Sequence, residues 1–97
     1  MDRKKFQVLF SPAAQRDLEK IEPTRALQIA KDIKDFLESA PFPFGKTRIK
    51  RLMGFEPPLF RLRTGDFRIY YRIFSDEVVL LAITTRKDSE KLLKKLR

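Results

Sequence analysis

The stretch Leu59-Phe60-Arg61-Leu62-Arg63-Thr64-Gly65-Asp66-Phe67-Arg68-Ile69-Tyr70-Tyr71-Arg72 leaves the chain little freedom in how it can fold. Two runs that alternate apolar and basic residues flank Gly65-Asp66. A two-residue loop with glycine first suits a type II′ turn, whose first central residue needs a positive φ that glycine adopts at least cost. With these two residues as the turn, Thr64 faces Phe67, Arg63 faces Arg68, Leu62 faces Ile69, Arg61 faces Tyr70 and Phe60 faces Tyr71. Side chains alternate along a strand, and paired residues share a face. One face of the hairpin then carries Phe60, Leu62, Phe67, Ile69 and Tyr71, a core face. The other carries Arg61, Arg63, Arg68, Tyr70 and Arg72, a cationic face.

The rest of the chain supplies what such a hairpin packs against. Lys5–Phe10 is expected to be a strand with Phe6, Val8 and Phe10 on one side. Ser11-Pro12 starts a helix, with serine as N-cap and proline where its missing N–H does no harm. This helix runs to about Ile21 with Ala14, Leu18 and Ile21 on one stripe. Glu22-Pro23-Thr24 breaks it. A second helix, roughly Thr24–Ser39, carries Ala26, Ala30, Ile33 and Leu37, widened by Ile29 and Phe36, while Lys31, Asp32, Lys34 and Asp35 fall mainly on a solvated side. Pro41–Gly45 is a stiff loop whose Phe42 and Phe44 either staple it to the core or stack on bases. Lys46-Thr47-Arg48-Ile49-Lys50-Arg51 is a basic segment, either a solvated loop or a set of phosphate contacts. Val78–Ile83 is continuously apolar, as a strand covered on both faces would be, and its facing depends on the length of the turn before it. Ser89 is placed to cap a terminal helix striped by Leu92, Leu93 and Leu96. The order is β-α-α-β-β-β-α, an α+β fold. A small antiparallel-rich sheet carries an N-terminal αα-hairpin on one face, with a short C-terminal helix. The sheet face away from the αα-hairpin is expected to stay partly open, and in the β-hairpin that is the arginine face.

Composition narrows the chemistry. The 97 residues make one small domain, and 42% hydrophobic content is enough for a modest core. Without cysteine there is no disulfide framework or thiolate chemistry; without histidine the commonest acid–base group and metal ligand is missing. No metal site and no cofactor are expected. No apolar run is long enough to span a bilayer, and the N-terminus lacks the apolar core of a signal peptide, so a cytoplasmic protein is expected. The net charge of +9 is uneven: residues 1–40 carry a net +1 and residues 41–97 a net +8. Such asymmetry points to a polyanion, with nucleic acid first.

Arg51-Leu52-Met53-Gly54, the hairpin from Leu59 to Tyr71 and the Arg86-Lys87-Asp88 exit after an apolar strand together resemble the RelE/ParE toxin superfamily. The Ser-Pro-started helical pair fits as well, so the resemblance spans nearly the whole chain. It implies the toxin of a type II toxin–antitoxin pair, with a cognate antitoxin as partner. The RelE branch, which the hairpin favours, cuts messenger RNA in the ribosomal A site without a metal. The 2′-OH attacks the adjacent phosphate and expels the 5′-oxygen. The ParE branch inhibits DNA gyrase and is not a nuclease.

On that resemblance, Arg61 and Arg63 stand where RelE enzymes place basic residues, Arg68 matches the phosphate-clamping arginine, and Arg86 matches the basic residue serving the leaving group. Lys46, Arg48, Lys50, Arg51, Tyr70, Arg72 and Lys87 are the further nucleic-acid contacts expected from the basic segment and the cationic face. Leu92, Leu93 and Leu96 are expected to meet the antitoxin. The departures concern the base. Guanidinium does not deprotonate near neutrality, Thr85 stands where relatives often carry histidine, and the C-terminal base-stacking tyrosine of some members is absent. Three functions remain open: a ribosome-dependent mRNA endonuclease, a gyrase inhibitor, and a basic RNA-binding module without catalysis.

Overall fold

The computed structural model describes residues 5–44 and 47–96. Strands β1 (Gln7–Phe10), β2 (Ile49–Leu52), β3 (Leu59–Thr64), β4 (Phe67–Phe74) and β5 (Glu77–Thr85) form one sheet in the order β1-β5-β4-β3-β2. The β3–β4 hairpin has the pairs that its turn dictates, from Thr64 with Phe67 to Phe60 with Tyr71. Gly65 has φ 57° and Asp66 is not among the residues with positive φ, as a type II′ turn requires.

The α+β class holds, and the sheet gains a fifth strand. Ile49–Leu52, which overlaps the end of the basic segment, pairs antiparallel with β3 as an edge strand. Its exposed Lys50 and Arg51 interrupt any apolar alternation, and charged edges of this kind discourage pairing with other chains. At the opposite edge β1 runs parallel to β5.

Helix α1 (Pro12–Glu19) follows Ser11, whose Oγ accepts the Ala14 N–H and donates to the Leu81 carbonyl. Helix α2 (Pro23–Asp32) begins at Glu22, whose carboxylate accepts the N–H groups of Thr24 and Arg25, and continues through a π-helical turn over Ile33–Leu37. These N–H donors hold the Glu22 carboxyl below its ordinary pKa. Ile29, Ile33 and Leu37 are buried and Ala30 is exposed, so the stripe lies slightly rotated from the expected one. It meets Leu62, Ile69, Tyr71, Val78 and Leu80, which are sealed from solvent. Burying each such side chain contributes about 1.5–3 kcal/mol relative to leaving it exposed. The Tyr71 hydroxyl donates to the Pro41 carbonyl at 2.8 Å, and burial pushes its pKa up. The Pro-rich loop is stapled by Phe42 against Phe6, while Phe44 is largely exposed.

Strand β5 resolves its ambiguous facing with an irregularity opposite Tyr70/Tyr71 that leaves Leu81 unmatched. A bulge of one residue flips parity. Val78, Leu80 and Ile83 therefore all join the helical core, while Leu81 packs on the other side. Past the end of β1, the Ile83 N–H is taken by Asp17 of α1 at 2.9 Å.

Helix α3 (Ser89–Leu96) changes the picture of the second face. Leu92, Leu93 and Leu96 pack with Leu52 and Leu81 against buried Phe55, Leu59 and Tyr70. The sheet is thus covered on both sides, and on the second face Arg63 beside the β3–β4 turn stays exposed.

Candidate functional site

Cross-strand register assembles the site. On the face towards α3, Lys50, Arg61, Tyr70 and Ala82 lie across four adjacent strands, and Arg63, Arg68 and Thr84 lie across β3, β4 and β5 one step nearer the turn. Arg86 arrives from the end of β5. Its N–H donates to the Asp66 carbonyl at 2.7 Å, tying the strand exit to the turn tip. The Thr85 hydroxyl donates to the Asp88 carboxylate and accepts the Asp88 N–H, and the Ser89 hydroxyl donates to the Arg86 carbonyl. The Arg86-Lys87 loop is therefore held by hydrogen bonds on both flanks.

Arg68 is the centre of this arrangement. It is 8% exposed, and its guanidinium folds back to donate to the carbonyls of Gly65 at 3.1 Å and Phe67 at 3.0 Å. Among the described residues no ion pair joins it to a carboxylate. Burial lowers its pKa, and repulsion from Arg61, Arg63 and Arg86 lowers it further. A guanidinium does not surrender its proton for this reason. An anion placed among these side chains would relieve that repulsion. Arg61 has a buried Nε without a hydrogen-bond partner. A buried donor left unsatisfied costs about 1–3 kcal/mol. Four guanidiniums with planar donor forks, none of them ion-paired to a carboxylate among the described residues, suit a phosphate.

The other expected contacts divide. Lys50 stands across from Arg61, exposed on the same face, and exposed Lys87 adjoins Arg86. Arg72 is half-buried and donates through Nε to the Pro57 carbonyl at 3.3 Å, bracing the loop before β3. Arg51 pairs with Phe60 and so belongs to the opposite face. Lys46 lies outside the described residues.

Two expectations are corrected. Tyr70 is 1% exposed and cannot stack on a base, because Leu92, Leu93 and Leu96 of α3 pack over it. Arg48 is drawn to the helical side, where it pairs with Asp32 at 3.3 Å and lies over the Phe36 ring at 5.1 Å. Asp32 itself is buried, not solvated: its carboxylate accepts from Thr64 Oγ1 at 2.6 Å, Gln28 at 3.0 Å and Arg48. Leu92, Leu93 and Leu96 are turned onto the second cluster. Asp66 and Thr85, which border a cavity of about 520 Å³ with Arg86 and Lys87, are not among the site residues expected from the sequence. The Gly-Asp turn opposite the strand exit is the signal that could have found them.

Among the described residues no group of three or more Asp or Glu could hold a metal ion, and no helix is long and apolar enough to cross a membrane. Comparison with known proteins gives the site its setting. A solved toxin–antitoxin complex, RelBE2 of Mycobacterium tuberculosis, has a chain 28% identical, with a TM-score of 0.68 over 84% of this chain and 99% of that one. The archaeal RelE–RelB complex of Pyrococcus horikoshii shares the fold, with 23% identity and a TM-score of 0.68 over 84% of this chain and 94% of that one. A protein of Methanocaldococcus jannaschii, named as a candidate toxin RelE1, is 29% identical over 87% of this chain and 92% of its own length. The family model described as "ParE toxin of type II toxin-antitoxin system, parDE" matches residues 8–90. The chain thus belongs to that family, within the RelE/ParE superfamily, and is a toxin of a type II toxin–antitoxin system.

Proposed function

We propose that the protein is a ribosome-dependent mRNA endonuclease that works in the cytoplasm and is neutralised by a cognate antitoxin. The observation that carries this reading is the buried guanidinium of Arg68, which has like-charged neighbours and no carboxylate. A scissile phosphate is the anion it lacks. In the reaction the 2′-oxygen bonds to phosphorus, the bond from phosphorus to the 5′-oxygen breaks, and charge builds on the non-bridging oxygens between. Arg61, Arg63 and Arg68, carried on paired strands, are the donors for that charge. Arg86 serves the departing 5′-oxygen, with Lys87 beside it to return a proton. Lys50, across from Arg61, is the group to accept the 2′-OH proton when its amine is in the neutral form, which an arginine does not reach.

The RelB-bound relatives support an antitoxin as partner. An acidic segment on this face would answer the same uncompensated charge.

Induced expression should arrest growth and produce codon-phased cuts in mRNA. Arg68→Ala should abolish both while the protein stays folded. Intact mRNA in programmed ribosomes saturated with the protein would sink the reading. The ParE description of the matching family favours one other reading, a non-catalytic inhibitor of DNA gyrase. Trapped gyrase–DNA cleavage complexes in place of cut mRNA would establish it, and unchanged supercoiling would remove it.

A further inference from the structure

Three open cavities adjoin one another around the tip of the β3–β4 turn. The one bordered by Arg86, Lys87, Thr85 and Asp66 meets, through Thr85, a second of about 600 Å³ at the bend between the helices, lined by Lys20, Arg25 and Phe67 among others. Arg25 and Phe67 are shared in turn with a third, of about 370 Å³, that ends at Gln28 and Arg48. Through these shared lining residues the three cavities are read as one groove, from the arginine cluster at Arg86, round the turn and onto the helical side over Phe67.

We propose that this groove holds the single-stranded nucleic-acid segment flanking the phosphate bound at Arg68, with the Phe67 ring as a base-stacking floor and Arg25 as a backbone contact. The inference rests on the phosphate-site reading above. Phe67 is partly buried, seated on the core by one side and open to the groove on the other, while Arg25 is exposed on the rim. An aromatic floor with cationic walls is the arrangement that tracks a single strand without reading its sequence, because every base has a π-face. Two of the three acids along the path are engaged by hydrogen bonds. Glu22 accepts from Thr24 and Arg25 backbone N–H groups, Asp32 is engaged by Thr64, Gln28 and Arg48, and Asp66 shares its cavity with Arg86 and Lys87. An acidic peptide is the competing occupant; it would use the cations but gain nothing from a flat ring.

The test is the affinity of the purified protein for uncleavable 2′-O-methyl oligoribonucleotides of about three and about eight nucleotides, read by fluorescence anisotropy across a salt series. The longer strand should bind more tightly than the shorter. Phe67→Leu, which keeps an apolar side chain on the core, should weaken the longer by about fivefold or more. Arg25→Gln should reduce the salt slope for the longer strand by about 0.7. Neither should alter the shorter, whereas Arg68→Ala should weaken both. Equal binding of the long strand by wild type, Phe67→Leu and Arg25→Gln would overturn the groove while leaving the phosphate site standing. Affinity of the short strand that survives Arg68→Ala would overturn the phosphate site and the groove with it. Should Phe67→Leu fail to fold, Arg25→Gln decides, since its side chain is exposed on α2. Loss of affinity for an acidic peptide with none for RNA would also overturn the proposal.

Discussion

Asp32 and Arg68 are both buried charges, one on each side of the sheet, and they are treated in opposite ways. Asp32, 6% exposed, collects a hydroxyl, an amide and a guanidinium. Its charge is neutralised inside the fold, and it joins α2 to β3 and to the loop before β2. Arg68, 8% exposed, collects two carbonyls and has three other arginines for neighbours. A charge satisfied internally is scaffold. On the reading proposed above, a charge without an opposite partner is where a ligand would bind, and this difference, more than the total of +9, marks the proposed site.

The contrast can be broken most forcefully at Arg68. Arg68→Ala should reduce mRNA cleavage by about 100- to 1000-fold, the usual loss when one preorganised oxyanion donor is removed. Asp32→Ala should act on folding instead. It leaves the Thr64 hydroxyl, 3% exposed, without its acceptor, and should lower the unfolding free energy by about 1–3 kcal/mol in urea titrations. Arg48 adds little to that loss because half of its side chain already meets solvent.

Tyr70 sharpens the boundary between the two treatments. It sits in the cationic row yet belongs to the apolar cluster under α3. Tyr70→Phe should leave affinity for a short oligoribonucleotide unchanged. A loss of tenfold or more, about 1.4 kcal/mol, would mean that its hydroxyl reaches RNA after all. The smallest effect is expected at Glu22. Its carboxyl pKa is lowered in the fold, so its contribution is present above the unfolded-state value and disappears as pH falls through the folded one. Glu22→Gln should melt slightly below wild type at neutral pH, and the gap should close at acidic pH.

Much of this was legible because a two-residue turn propagates its register. Once Gly65-Asp66 is the turn, Arg61, Arg63 and Arg68 must share a face. Arg86 was reachable only by resemblance, since its place depends on how β5 pairs with β4 and on the Arg86 N–H to Asp66 carbonyl contact. β2 escaped notice because a charged edge strand has no alternation to show. The facing of β5 turned on one bulge, which periodicity cannot locate in a run that is apolar throughout. The errors at Tyr70 and Arg48 share a cause. Each was assigned from its own strand or segment, whereas α3 and Asp32, both distant in sequence, decide where the two side chains lie.

The central claim is that the fold carries an unmet need for an anion at Arg68, and ligand-linked stability tests it most directly. The melting temperatures of wild type and Arg68→Met should be followed as inorganic phosphate replaces chloride at constant ionic strength. The account predicts a rising midpoint for wild type and a flat one for Arg68→Met, whose melting temperature in chloride equals or exceeds that of wild type. A wild type indifferent to phosphate, or an Arg68→Met protein that melts well below it, would contradict the account and make Arg68 a structural residue like Asp32.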